Sequence, residues 1–241
     1  GTLKIAGGAT TGSAGANIAA TLTTAGGRMT VSGDTALLGG TLNATMLGIG
    51  SGTGDFQTQT LSGDGVVNAT VLNQGSVNAG AAGITFTGDV SGAGSFLGTN
   101  TFTGTFRPGN SPAQVEFENM VLNGTLEIEL GGLIAGAEYD QLIGAAGMVS
   151  TATLGGTLDI DLIGLGGGSI FAPSLGDMFD IIVADDILGD FALTDFPLLT
   201  GGLFLTGGIF DLGNGQEAYR LTVSSNTAAV PAPGVALLFG F

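Results

Sequence analysis

The chain has 241 residues, 47 of them glycine, and carries 20 acidic against 4 basic side chains for a formal charge of −16. That balance repels phosphate backbones and argues against nucleic acid as a partner. Cys, Trp and His are absent, which removes disulfides, thiolate and imidazole metal ligands and the commonest general base.

With 44% hydrophobic residues and 10% charged ones, the chain can still bury a core. Frequent glycine implies tight turns, and a set of Leu, Ile, Val, Phe and Ala with Thr at polar positions suits pleated strands. An all-β fold is expected. Gly1 in place of Met is what removal of a leader, or an internal start, would leave. No stretch reaches the ~20 apolar residues of a spanning helix.

From residue 1 to 130 the chain reads as short alternating segments of roughly 4 to 7 residues separated by Gly, Asn, Asp or Ser. Thr2-Leu3-Lys4-Ile5, Thr41-Leu42-Asn43-Ala44-Thr45 and Ile84-Thr85-Phe86-Thr87 are examples. Gly-Thr-Leu recurs at Gly1, Gly40, Gly124 and Gly156, unevenly spaced. An imperfect repeat of short strands predicts a parallel β-solenoid, or β-helix, of stacked coils of about 20 residues and a rod roughly 50 Å long. An antiparallel β-sandwich is the alternative.

Alternation is strongest at Leu126, Ile128 and Leu130 against Glu127 and Glu129, and at Leu158, Ile160 and Leu162 against Asp159 and Asp161. The aliphatic residues are expected inward and the carboxylates outward. Residues 131–223 form a more apolar C-terminal β region that continues or caps the solenoid. Its expected strands are Phe179 to Val183, Phe191 to Leu193, Gly202 to Leu205 and Tyr219 to Val223. Residues 224–241 are divided between a small polar linker, Ser224 to Ala229, and an apolar tail.

Five pieces in order, Pro108-Gly109-Asn110-Ser111-Pro112, Leu126 to Gly132, Glu138 to Leu142, Leu154 to Leu158 and Gly176 to Ile181, resemble the end of the β-helical passenger region of autotransporter-like and PEP-CTERM surface proteins. Val230-Pro231-Ala232-Pro233-Gly234 and the apolar run after it are similar to the start of a PEP-CTERM sorting signal. Ala232 stands where that family usually has Glu, and the run is short, with no basic cluster after it. The resemblance implies secretion and an envelope or matrix role for an extracellular or cell-surface protein, without an activity.

Candidate sites follow from residue types. The pairs Glu127/Glu129 and Asp159/Asp161 could bind Ca²⁺ or cleave glycans as acid and base, although alternation alone demands polar residues there. Asp177, Asp180, Asp185, Asp186 and Asp190 make the densest acidic cluster, yet no calcium-loop motif accompanies them, and solvated turns account for them. Without His, and with Lys4 as the single lysine, no serine-hydrolase set can be built. Gly92-Ala93-Gly94 reads as a turn. Asn43, Asn68 and Asn123 open Asn-x-Thr triplets, with no modification expected of them in a bacterial protein. Phe86, Phe96, Phe102 and Phe106 read as a core ladder rather than a sugar platform.

The expected function is therefore structural and not enzymatic, with no cofactor. The chain is expected to be its own partner in a homopolymer, with an extracellular polysaccharide as a second candidate. A strand at the start and an uncharged tail look unprotected, and the tail residues Val230, Pro231, Pro233, Val235, Leu237, Leu238, Phe239 and Phe241 are the candidate assembly site. An adhesin or glycan-binding surface protein is the alternative.

Overall fold

The computed structural model describes residues 35–49, 60–109 and 112–225 in full and, ahead of them, the backbone of five short strands. These five are β1 (Thr2–Ala6), β2 (Ala9–Thr11), β3 (Ala16–Ile18), β4 (Thr21–Ala25) and β5 (Arg28–Val31). Next come β6 (Thr35–Ile49), β7 (Thr60–Asn73), β8 (Ser76–Phe86), β9 (Val90–Gly92), β10 (Ser95–Phe102) and β11 (Thr105–Pro108). They are followed by β12 (Gln114–Leu122), β13 (Thr125–Leu130), β14 (Gln141–Gly144), β15 (Thr151–Leu154) and β16 (Thr157–Leu162). The last strands are β17 (Met178–Ala184), β18 (Asp186–Gly189), β19 (Leu193–Asp195), β20 (Leu203–Asp211) and β21 (Glu217–Ser225). Among the described residues helix is confined to single 3₁₀ turns at Leu165–Gly167 and Thr200–Gly202, and no helix there is long and apolar enough to cross a membrane.

The fold is all-β, as composition demanded, and its sheet is mostly parallel and unclosed. Among the described strands, only β17 with β21 and β20 with β21 pair antiparallel. A parallel neighbour cannot follow through a tight hairpin, so partners lie far apart in sequence, 20 residues in the Val71/Ser91 and Arg107/Glu127 contacts.

Strands β6, β7 and β8, of 15, 14 and 11 residues, run longer than the sequence suggests. The 15-residue β6 receives β3, β4 and β5 in turn along its length, and its register with β7 slips between Leu38 and Gly40 and again between Asn43 and Met46. Gly39, at φ 73°, sits at the first slip, where an L side chain would be strained. The short segments at Thr41 to Thr45 and Ile84 to Phe86 are thus stretches of longer strands, while Thr2 to Ile5 lies in the five-residue β1.

The Gly-Thr-Leu recurrences have a geometric cause. Thr125 and Leu126 of β13 pair with Thr157 and Leu158 of β16, and with Thr105 and Phe106 of β11. The preceding glycines therefore fall in a column, in which a Cβ on Gly104, Gly124 or Gly156 would strike the carbonyl oxygen of Gly88, Gly104 or Gly124 respectively. Close approach of successive backbones leaves room for glycine only.

One hydrophobic cluster runs from Leu37 to Val223. Leu126, Ile128, Leu130, Leu158 and Ile160 are buried in it, while Glu127, Glu129, Asp159 and Asp161 face outward, the two-residue period made physical. Leu162, expected inward, is partly buried and packs against the cluster.

Phe86, Phe96, Phe102 and Phe106 form the internal aromatic stack: Phe86/Phe102 and Phe102/Phe106 are stacked at 5.3 and 4.5 Å, with Phe96 edge-on to all three. None of the four offers a face to solvent. Phe191 and Ala192, read as strand, precede β19 instead, because their backbone turns to meet Gly155 and Gly156. Ser224 and Ser225, read as linker, close β21 against Phe204 and Leu203.

Candidate functional site

Two features of the surface are built rather than incidental. The first is a pocket of about 270 Å³ on the outer face of β9, β11 and β13, lined by Asp89, Arg107, Glu127, Glu129 and Asp140 among others. Parallel register sets it up. Arg107 lies opposite Ser91 and its Nε donates to Glu127 Oε2 at 2.7 Å, with Asp89 3.8 Å from its Nη1. Glu127 in turn lies beside Asp159, and Asp159 beside Asp195, so one outward column reads Arg, Glu, Asp, Asp. Glu129 and Asp161 form the next column.

Such a column concentrates negative charge. The carboxyl of Glu129 is pushed up by burial and then by Glu127 and Asp161. That of Asp159 is pushed up by burial and then by Asp161 and Asp195. The Arg107 guanidinium is pushed up by its hydrogen bond to Glu127, which is the single positive relief in the row.

Asp140 closes the pocket from below. It is 1% exposed, and its two oxygens accept from the backbone N–H of Ala113 and of Glu129, both at 2.8 Å. Its own N–H donates to the Glu129 carbonyl. Burial raises its pKa to about 7 despite those two donors. The residue ties the start of β12 to the middle of β13 and has no oxygen without a donor.

Chemically, the pocket can receive a polar ligand, but it does not hold a free acid and base. Glu127 is bonded to Arg107, Asp140 is bonded on both oxygens, and Glu129 lines the pocket without a side-chain hydrogen bond among the described residues. Two independent carboxyls, as glycoside cleavage needs, are not assembled here. No group of three or more acidic side chains among the described residues is arranged to hold a metal ion.

The acidic cluster near the C-terminal strands is likewise divided. Asp180 receives a two-point bond from Arg220, and Asp185 accepts from Ser150 N–H and Oγ–H. Asp177 accepts from Ser174 N–H, and Asp190 from Phe191 N–H and Tyr219 Oη. Asp186 is exposed at the start of β18. Asn43 and Asn68 bond to each other, and Asn68 also accepts from Thr87, in an outer ladder across β6 to β8. Gly92 to Gly94 is a bend packed on Asn73.

The second feature is the C-terminal edge. Strands β18, β19 and β20 each pair on one side only among the described strands, and Leu188, Leu193, Leu198, Ile209 and Phe210 are exposed there. Leu198 is 99% exposed. The tail residues Val230, Pro231, Pro233, Val235, Leu237, Leu238, Phe239 and Phe241 lie outside the described residues.

Sequence reasoning located Glu127, Glu129, Asp159 and Asp161 by their alternation. It missed Arg107, Asp89 and Asp140 as their neighbours. The available signal was the scarcity of basic residues, since an Arg beside an outward column of carboxylates is the natural counter-charge. The exposed leucines of β18 and β19 carried no signal, because an apolar residue in a strand reads as core. Compared with known proteins, the chain matches no protein-family model and no curated sequence.

Proposed function

We propose that the chain is a secreted structural protein that winds as a parallel β-solenoid and assembles with copies of itself into a filament, sheath or matrix on a bacterial surface. The observation that carries this reading is the run of strands β18 to β20, each paired on one side only among the described strands and exposing Leu188, Leu193, Ile209 and Phe210, at one end of a mostly parallel sheet; Asp186, Asp195 and Asp211 stand only at strand ends. Edges of this kind template further pairing unless charge, proline or a bulge blunts them. The occupied carboxylates at Arg107 and Asp140 favour a non-enzymatic role, and the resemblance to envelope proteins favours an extracellular one.

In this reading, residues 228–241 are the donor that a neighbouring copy receives, and contact repeated without closure yields a filament. Deleting Ala228 to Phe241 then abolishes polymers seen by electron microscopy while circular dichroism still reports a β-rich fold. Unchanged polymers would remove the tail from the mechanism, and a full-length chain that never polymerises would remove the reading itself.

The polar pocket at Arg107 favours a second reading, a surface protein that binds an extracellular glycan. A glycan array decides it: binding that is lost in Arg107→Ala supports this reading, and no binding by the intact chain sinks it.

A further inference from the structure

Strand β20, Leu203–Asp211, is the longest strand that pairs on one side only among the described residues. It pairs with β21 over all nine positions without a register shift. It carries none of the protections of a natural edge: no lysine, no proline, no bulge, and no charge before its last residue, Asp211.

Its two faces differ. Leu203, Leu205, Gly207, Ile209 and Asp211 share the face on which β21 presents the buried Tyr219, Leu221 and Val223. On the other face Phe204, Thr206, Gly208 and Phe210 point outward, with the Arg220 guanidinium 5.5 Å from the Phe210 ring centre. Core-face residues run out to solvent at Ile209, which is 38% exposed.

The geometry points to a two-fold contact in which β20 of one copy pairs antiparallel with β20 of a second copy, centred on Gly207. The sequence Leu-Phe-Leu-Thr-Gly-Gly-Ile-Phe-Asp is complementary to itself in that register. Gly207 meets Gly207, Leu205 meets Ile209, Phe204 meets Phe210, and Leu203 meets Asp211. Every aliphatic or aromatic residue finds an apolar partner except Leu203, and no two carboxylates face each other.

The self-complementary register selects a second copy as the occupant. The repulsion between two chains of formal charge −16 opposes the contact and is least along this strand, whose one carboxylate, Asp211, stays at the rim. Because β21 is itself paired antiparallel with β17, the contact joins two three-stranded antiparallel units into one six-stranded sheet. This contact uses β20, part of the edge on which the assembly reading rests, but not the tail, so the two contacts are tested separately.

The test uses the full chain. In Thr206→Cys/Gly208→Cys each cysteine lies opposite the other residue of the pair in the second copy. Gly208 has room for a Cβ, its nearest neighbour being Phe210 Cε2 at 3.6 Å. Since the chain has no cysteine of its own, mild oxidation gives a covalent dimer if the register is right. Ile209→Lys, at an exposed position, raises the dimer Kd about a hundredfold, the scale of replacing two apolar contacts by desolvated charges, with an unchanged circular dichroism spectrum.

Sedimentation that shows Ile209→Lys dimerising like the parent overturns the proposal, as does a cysteine variant that stays uncrosslinked at concentrations where the parent is dimeric. Hydrogen exchange that finds β20 protected equally at all concentrations overturns it too, because the edge is then covered by the chain's own residues. Loss of polymers on deleting residues 228–241 with the β20 dimer retained marks the two contacts as distinct.

Discussion

Ile128→Asp and Glu127→Thr change adjacent residues of β13 and should differ about tenfold in cost. Ile128 is fully buried beside Ile160 of the next strand. Deleting a buried Ile side chain costs about 2 to 5 kcal/mol, and a carboxylate without a partner in its place adds the cost of desolvation. A total of about 5 kcal/mol is comparable with the whole stability of many domains, and at about 2 to 4 °C per kcal/mol for a chain of this size the melting midpoint falls by about 10 to 20 °C.

Glu127 is outward and partly exposed, and its loss removes the 2.7 Å bond to Arg107, itself 44% exposed. Pairs of that kind contribute about 0.2 to 1 kcal/mol. In exchange, removing one carboxylate relieves its repulsion on Glu129 and Asp159. The midpoint should therefore move by about 2 °C or less. Thermal melts followed by circular dichroism compare the two variants directly. Equal losses, or a larger loss for Glu127→Thr, would refute the assignment of faces along β13 and with it the packing of β13 on β16.

Asp140 predicts a pH dependence. Burial lifts its folded pKa from the ordinary 3.8 to about 7, so its contribution is fully present below about pH 4 and is lost as pH rises through about 7. The upper bound is about 4 kcal/mol, and Asp140→Asn should flatten the stability profile between those limits. Identical slopes in urea melts of the parent and the variant would contradict it. Gly124→Ala should destabilise by about 1 to 3 kcal/mol or more, because the new methyl meets the Gly104 carbonyl. A melt like that of the parent would mean that the glycine column is looser than drawn. Arg220→Ala removes the two-point bond to Asp180 and the contact with Phe210. It should cost about 1 kcal/mol and loosen the β20–β21 hairpin, read as faster amide exchange in β20 with little change in β13.

The amino-acid sequence by itself determined what depends on neighbours along the chain. The β class follows from composition, and the inward and outward faces of β13 and β16 follow from a two-residue period that any pleated strand obeys. The burial of Phe86, Phe96, Phe102 and Phe106 was legible for the same reason. Strand lengths were not, since Gly39 and the register slips in β6 look like strand ends when read locally but are bends within a paired strand.

Only the tertiary structure decided which strands meet. It set the parallel direction of most pairs, stacked Gly88, Gly104, Gly124 and Gly156 in one column, and brought Arg107 between Asp89 and Glu127. It also sealed Asp140 beneath Glu129 and left β20 paired on one side only among the described strands. Each of these is a contact between residues far apart in sequence, fixed by the register of whole strands and the shared burial of one core, and no local pattern of residues encodes such a register.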